Sequence, residues 1–95
     1  MVKHIVVFKV KEEFMNEALD MIEDFRKKKG LIPGLKDFSI GTDFVHSARS
    51  YDVGLIATLE DKEALHVYAN HPVHVPFKTR MAEISSSVVA VDFEE

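Results

Sequence analysis

Cysteine and tryptophan are absent from this 95-residue chain, and glycine (four residues) and proline (three) are sparse. Without cysteine there is no disulfide framework, no thiolate nucleophile and no cysteine-ligated zinc site. Gly30, Gly34, Gly41 and Gly54 stand apart, so there is no phosphate-cradling loop, and each suits a turn or a close strand contact. No G-x-S-x-G elbow marks a serine hydrolase. Positive charge is not in excess: the net charge is −4, which leaves no diffuse field to hold nucleic acid or an anionic membrane. Apolar runs such as Ile5–Phe8 are far too short to span a membrane or to form the core of a signal peptide.

Hydrophobic residues make up 46% of the chain and charged ones 29%, a balance that excludes intrinsic disorder. The length suits one domain over residues 1–95, burying about two-thirds of its unfolded surface. A small cytoplasmic domain is the expectation.

Residues 2–10 are rich in β-branched side chains and place His4, Val6, Phe8 and Val10 on one strand face, with Ile5 and Val7 on the other. From Glu12 the period changes to that of a helix, with Phe14, Ala18, Met21, Ile22 and Phe25 facing inward. Its acidic start and the basic run Arg26–Lys29 suit the helix dipole, and Gly30 suits the position after the helix end. Ile32-Pro33-Gly34 predicts a turn. A second strand over 35–41 follows, turning Phe38 and Ile40 inward, then a polar loop to Ser50 and a third strand over 51–59. Asp61 is the expected N-cap of a second helix to about Asn70, and Pro72 stops it at His71. A short helix over about 76–84 and a last strand over 87–93 complete the chain.

The order β-α-β-β-α-β predicts an α+β, ferredoxin-like protomer with a four-stranded antiparallel sheet and its helices on one face. Val6, Phe8, Val53, Leu55, Val88, Val89 and Val91 cannot all face the helices. A bare apolar sheet face is rare on monomers, so burial alone predicts that two copies pack sheet to sheet as a homodimer.

Chemistry concentrates in Tyr68-Ala-Asn-His71-Pro-Val-His74, with His4 on the first strand. Histidine exchanges protons near neutrality, and a tyrosine hydroxyl can donate to a developing oxyanion. A kink at Pro72 turns His74 off the helix axis and over the mouth of the sheet. Structural roles stand beside these: His71 suits closure of a helix end, while Tyr68 and His4 suit satisfied core positions. His71 and His74 lack a third ligand at a recognised spacing, so no metal site is implied. The basic run has no exposed aromatics beside it, so no nucleic-acid partner is implied.

The opening Lys3–Lys9, the turn Ile32-Pro33-Gly34, Tyr51–Leu55, the closing Val88–Phe93 and above all Y-x-x-H-P-x-H at 68–74 resemble the stress-responsive dimeric α/β-barrel domain family. The resemblance runs over nearly the whole chain and implies a ferredoxin-like protomer whose sheet pairs with a second copy into a barrel. Around the same motifs the chain is similar to olivetolic acid cyclase-like polyketide cyclases. That similarity implies His74 as a general base removing a proton α to a carbonyl, Tyr68 as donor to the carbonyl oxygen and His4 in the same pocket, with no metal or cofactor. Phe25 stands where those cyclases carry a tyrosine, which implies a more apolar cavity.

Three readings stay open. In the first, each protomer of a dimeric barrel holds a small, mostly apolar or polyketide-like ligand in a pocket formed by Phe25, Tyr68, His71 and His74. In the second, the protein is a cofactor-independent enzyme, a cyclase-like lyase or, less in keeping with the absence of tryptophan, a monooxygenase. In the third, it is a purely structural stress protein.

Overall fold

A computed structural model describes all of residues 1–95. The elements are β1 (Val2–Val10), α1 (Met15–Lys28), β2 (Leu35–Thr42), β3 (Val53–Leu59), α2 (Lys62–Asn70), α3 (Val75–Glu83) and β4 (Ser85–Glu94). The strands form one antiparallel sheet in the order β2-β3-β1-β4, the ferredoxin-like arrangement predicted from the sequence. No helix is long and apolar enough to cross a membrane.

Register sorts the two-sided strands. Val6 lies opposite Leu55 and Ala90, and Phe8 opposite Val53 and Val88, so these residues share the helix-covered face. There Val6, Phe8, Val53 and Leu55 join Ala18, Ile22 and Phe25 of α1, Tyr68 of α2, and Phe77 and Met81 of α3 in one core, while Val88 and Ala90 on the edge strand stay exposed. Ile5 lies opposite Ile56 and Val91, and Val7 opposite Val89, on the other face. Nothing in the protomer covers that face: Ile56, Val89, Val91 and Phe93 are 41–53% exposed.

Local chemistry explains the element ends. Asp61 accepts a hydrogen bond from the Ala64 amide (2.8 Å), giving α2 its expected cap. The positive-φ glycine is Gly34 (φ 81°). Gly30 instead lies in a 3₁₀ turn over Lys29–Leu31 that closes α1, with the Ile32 amide donating to the Lys29 carbonyl. A Cβ on Gly34 would sit 2.7 Å from that of Ala64, so this turn needs glycine for space as well as for φ. The third strand begins at Val53 rather than Tyr51, because the Asp52 carboxylate takes the Val10 amide (2.9 Å) in place of a regular ladder bond. The basic end of α1 does more than complement a dipole. Arg26 and Lys29 donate to the carbonyls of Ile40 and Phe38 on the edge strand β2. Across the helical layer, Arg80 of α3 grips Glu17 of α1 (2.9 Å), which fixes the helix that carries one wall of the site.

Candidate functional site

The site is set by the end of α2. Pro72 removes one amide and pushes the preceding residue out of helical geometry. His71 is accordingly extended (φ −70°, ψ 137°). Its carbonyl accepts from the amides of His74 and Val75 (both 2.9 Å), and its Nδ1 accepts from the Val73 amide (3.1 Å). His71 therefore shapes the turn, and its ring is engaged with its own backbone.

That turn swings His74 inward. The His74 ring is 5% exposed and stacks on Tyr68 with centroids 4.1 Å apart. His4 meets the other side of Tyr68 edge-on at 5.6 Å, and Phe25 lies 5.9 Å from His74 while stacking on Phe77 at 4.5 Å. Elements far apart in sequence thus bring His4, Tyr68, His74 and Phe25 into one row of rings.

Electrostatics distinguish these groups. Burial lowers the His74 pKa from 6.5 to about 4; the nearby Lys78 charge acts in the same direction and the Ala69 carbonyl partly opposes it. The ring is neutral at pH 7. Its Nδ1 lies 3.4 Å from the Ala69 carbonyl, so the proton sits there and Nε2 is left as an acceptor. Burial also pushes the Tyr68 phenol well above its ordinary value of 10, keeping it a hydroxyl. That hydroxyl is buried and has no hydrogen-bond partner in the protomer. His4 Nδ1 pairs with the Asp92 carboxylate, its cross-strand neighbour on β4.

A cavity of about 210 Å³ opens against this cluster. Val6, Phe8, Leu55 and Val88 line it from the sheet, and Phe77, Lys78 and Ala82 from α3, with His4 and His74 as its imidazoles. Tyr68 stands behind the imidazoles rather than in the wall. Phe25 lines a second, larger groove with Met21, Pro72 and Val73, and only Phe77 is common to both. His71 lines neither of these two. No group of three or more histidine or acidic side chains is placed to hold a metal ion.

Sequence reasoning missed Lys78 and Asp92. Lys78 follows His74 by four residues, which on a helix puts both on one face. Asp92 becomes visible only once β4 is paired in register with β1.

The description "Stress responsive A/B Barrel Domain" belongs to a family model that matches residues 2–95. Stress-response A/B barrel domain-containing protein HS1 of Arabidopsis thaliana is 28% identical over 96 residues, spanning 98% of this chain and 88% of that protein. A dimeric ferredoxin-like protein of unknown function from Thermobifida fusca superposes with a TM-score of 0.87 at 26% identity, covering 99% of this chain and 90% of the other. Two enzymes share the fold alone. Hydroxynitrile lyase from Passiflora edulis has a TM-score of 0.81 at 18% identity, covering 97% and 90%, and an antibiotic biosynthesis monooxygenase has 0.82 at 16%, covering 100% and 98%.

Proposed function

The chain belongs to the stress-responsive A/B barrel domain family, and from that premise we propose that it works as a homodimer whose protomers each hold a small, mostly apolar ligand in the His4–His74 cavity. The observation that carries this reading is a pair of imidazoles set in walls that, Lys78 apart, are aliphatic and aromatic, the composition of small-molecule sites. The bare face of Ile5, Val7, Ile56, Val89 and Val91 supports pairing with a second copy, as does the dimeric state of the Thermobifida fusca protein.

Native mass spectrometry, followed by the same sample in denaturing solvent, tests both parts. A dimer carrying a small mass that is lost on denaturation is the expected result, with retention reduced in His74→Ala. A monomer would remove the dimer, and ligand retention unaffected by His74→Ala would remove the site.

A second reading is favoured by the state of His74. A buried imidazole that stays unprotonated at neutral pH can accept a proton, as a weak base because burial holds its pKa near 4. In this reading a ligand carrying an acidic C–H next to a carbonyl loses that proton to His74, and Tyr68, stacked behind that ring, holds it in place. Phe25, behind His74, keeps the base dry. Deuterium exchange into acetylacetone, followed by NMR, checks it: base catalysis contributes on the order of 10²–10⁴-fold, and His74→Ala should lose that part. Equal exchange in the variant would end the enzymatic reading and leave the binding one standing.

A further inference from the structure

Two of the four glycines stand within strands, where glycine gives up side-chain packing and costs chain entropy. Gly41 of β2 pairs with Gly54 of β3, and Gly54 with Val7 of β1, so the three form one row across the uncovered face. The protomer itself requires glycine at neither place. Neither has a positive φ; a Cβ on Gly41 would meet nothing within 4 Å, and one on Gly54 would reach only the Val7 side chain, at an ordinary 3.8 Å. The pair leaves a hollow of about 350 Å³, lined by Val7 and the two glycines together with Thr42, Asp43 and Tyr51.

Next to that rim stands Phe44, 88% exposed, more than any other large apolar side chain of the protomer. The loop that carries it is well anchored. The Asp43 amide donates to the Asp52 carbonyl (2.8 Å), and the Asp43 carboxylate accepts from the His46 amide (2.7 Å). His46 holds a left-handed φ of 55°, uncommon for a residue with a side chain, and the Ser50 hydroxyl accepts from the Ser47 amide (3.0 Å). A hydrogen-bonded loop therefore holds an aromatic ring clear of its own chain.

We propose that in the homodimer Phe44 of each protomer seats in the Gly41–Gly54 hollow of the other. This rests on the dimer reading above and names the contact that sets the register of the two copies. Pairing about a two-fold axis needs knob and hole on the same surface of one chain. Here Asp43 belongs to the hollow and Phe44 follows it, so an axis passing beside that rim exchanges the two rings reciprocally. Aromatic rings seated in pockets anchor interfaces. Phe93, the other exposed phenylalanine, lies opposite Lys3 towards the far end of β1, away from the hollow at Val7.

Native mass spectrometry and sedimentation of two variants test this. Phe44→Ser removes the knob and Gly54→Val fills the hollow; Gly41→Val fills it from the neighbouring strand should Gly54→Val fail to fold. Each alone should weaken the dimer roughly thirtyfold or more. Mixing the two variants should restore association. The mixed dimer keeps one intact contact, the ring of the glycine variant in the open hollow of the serine variant, and at the other contact neither ring nor space remains. Dimers of both variants as tight as the wild type, or a mixture no tighter than its parents, overturn the inference and leave the dimer reading standing. A monomeric wild type overturns both.

Discussion

Acid should weaken this fold through one buried ring. In the folded chain His74 titrates at about 4, against 6.5 for a free histidine, because the proton would have to be carried in a nearly dry site beside Lys78. Unfolding releases the ring to water, so between pH 4 and 6.5 the unfolded chain binds the extra proton. Stability therefore rises with pH across that window, is complete above about 6.5, and is lost as pH falls towards 4. The gap of about two and a half pH units, at about 1.4 kcal/mol each, is about 3.5 kcal/mol. For a domain whose total stability is on the order of 5–15 kcal/mol this is a large fraction. The perturbation that isolates it is His74→Gln, which keeps a polar side chain of similar reach and cannot titrate. Urea unfolding of both proteins at pH 7, 6, 5 and 4.5, at one protein concentration because assembly adds stability, gives the comparison. Carboxylate effects are common to the two and cancel. The wild type should lose about 2 kcal/mol more than the variant between pH 7 and 5. Parallel pH profiles would refute the argument, since they would mean that His74 is as easily protonated folded as unfolded.

Tyr68→Phe should stabilise the protein by about 1 kcal/mol, because it removes a buried hydroxyl with no partner in the protomer; calorimetry showing a lowered Tm would contradict that. Gly34→Ala should destabilise by about 2 kcal/mol or more, through both the positive φ and the 2.7 Å approach to Ala64, as read from denaturant midpoints. Val91→Asp, on the uncovered sheet face, should weaken self-association by about a hundredfold or more, since it places an unpaired charge in an apolar contact. Sedimentation showing an unchanged dimer would place the interface elsewhere.

The elements were legible in the sequence because their causes are local. Alternation along residues 2–10 and 53–59, the Asp61 cap, and the refusal of Pro72 to continue a helix each act within a few residues. The uncovered face was legible too, since a strand apolar on both sides needs cover on both sides. The residues worth watching, His4, Tyr68 and His74, stood out by type and by their crowding around one proline.

What they touch was not legible. Which residue faces His4 depends on the register of β4 against β1, fixed by packing over the whole sheet, and only that register brings up Asp92. The neutrality of His74 follows from desolvation by residues of α1, α2 and the sheet, a sum over three dimensions that no spacing rule contains. His71, chemically the equal of His74, turned to its own backbone because the chain reversal at Pro72 needed an acceptor for the Val73 amide. Lys78 found its partner, the Ala69 carbonyl, only once Ala69 lost its helical one. Side-chain type and period thus determined the layers of this protein. Register, burial and the competition for backbone hydrogen bonds decided which of its polar groups are left free to act.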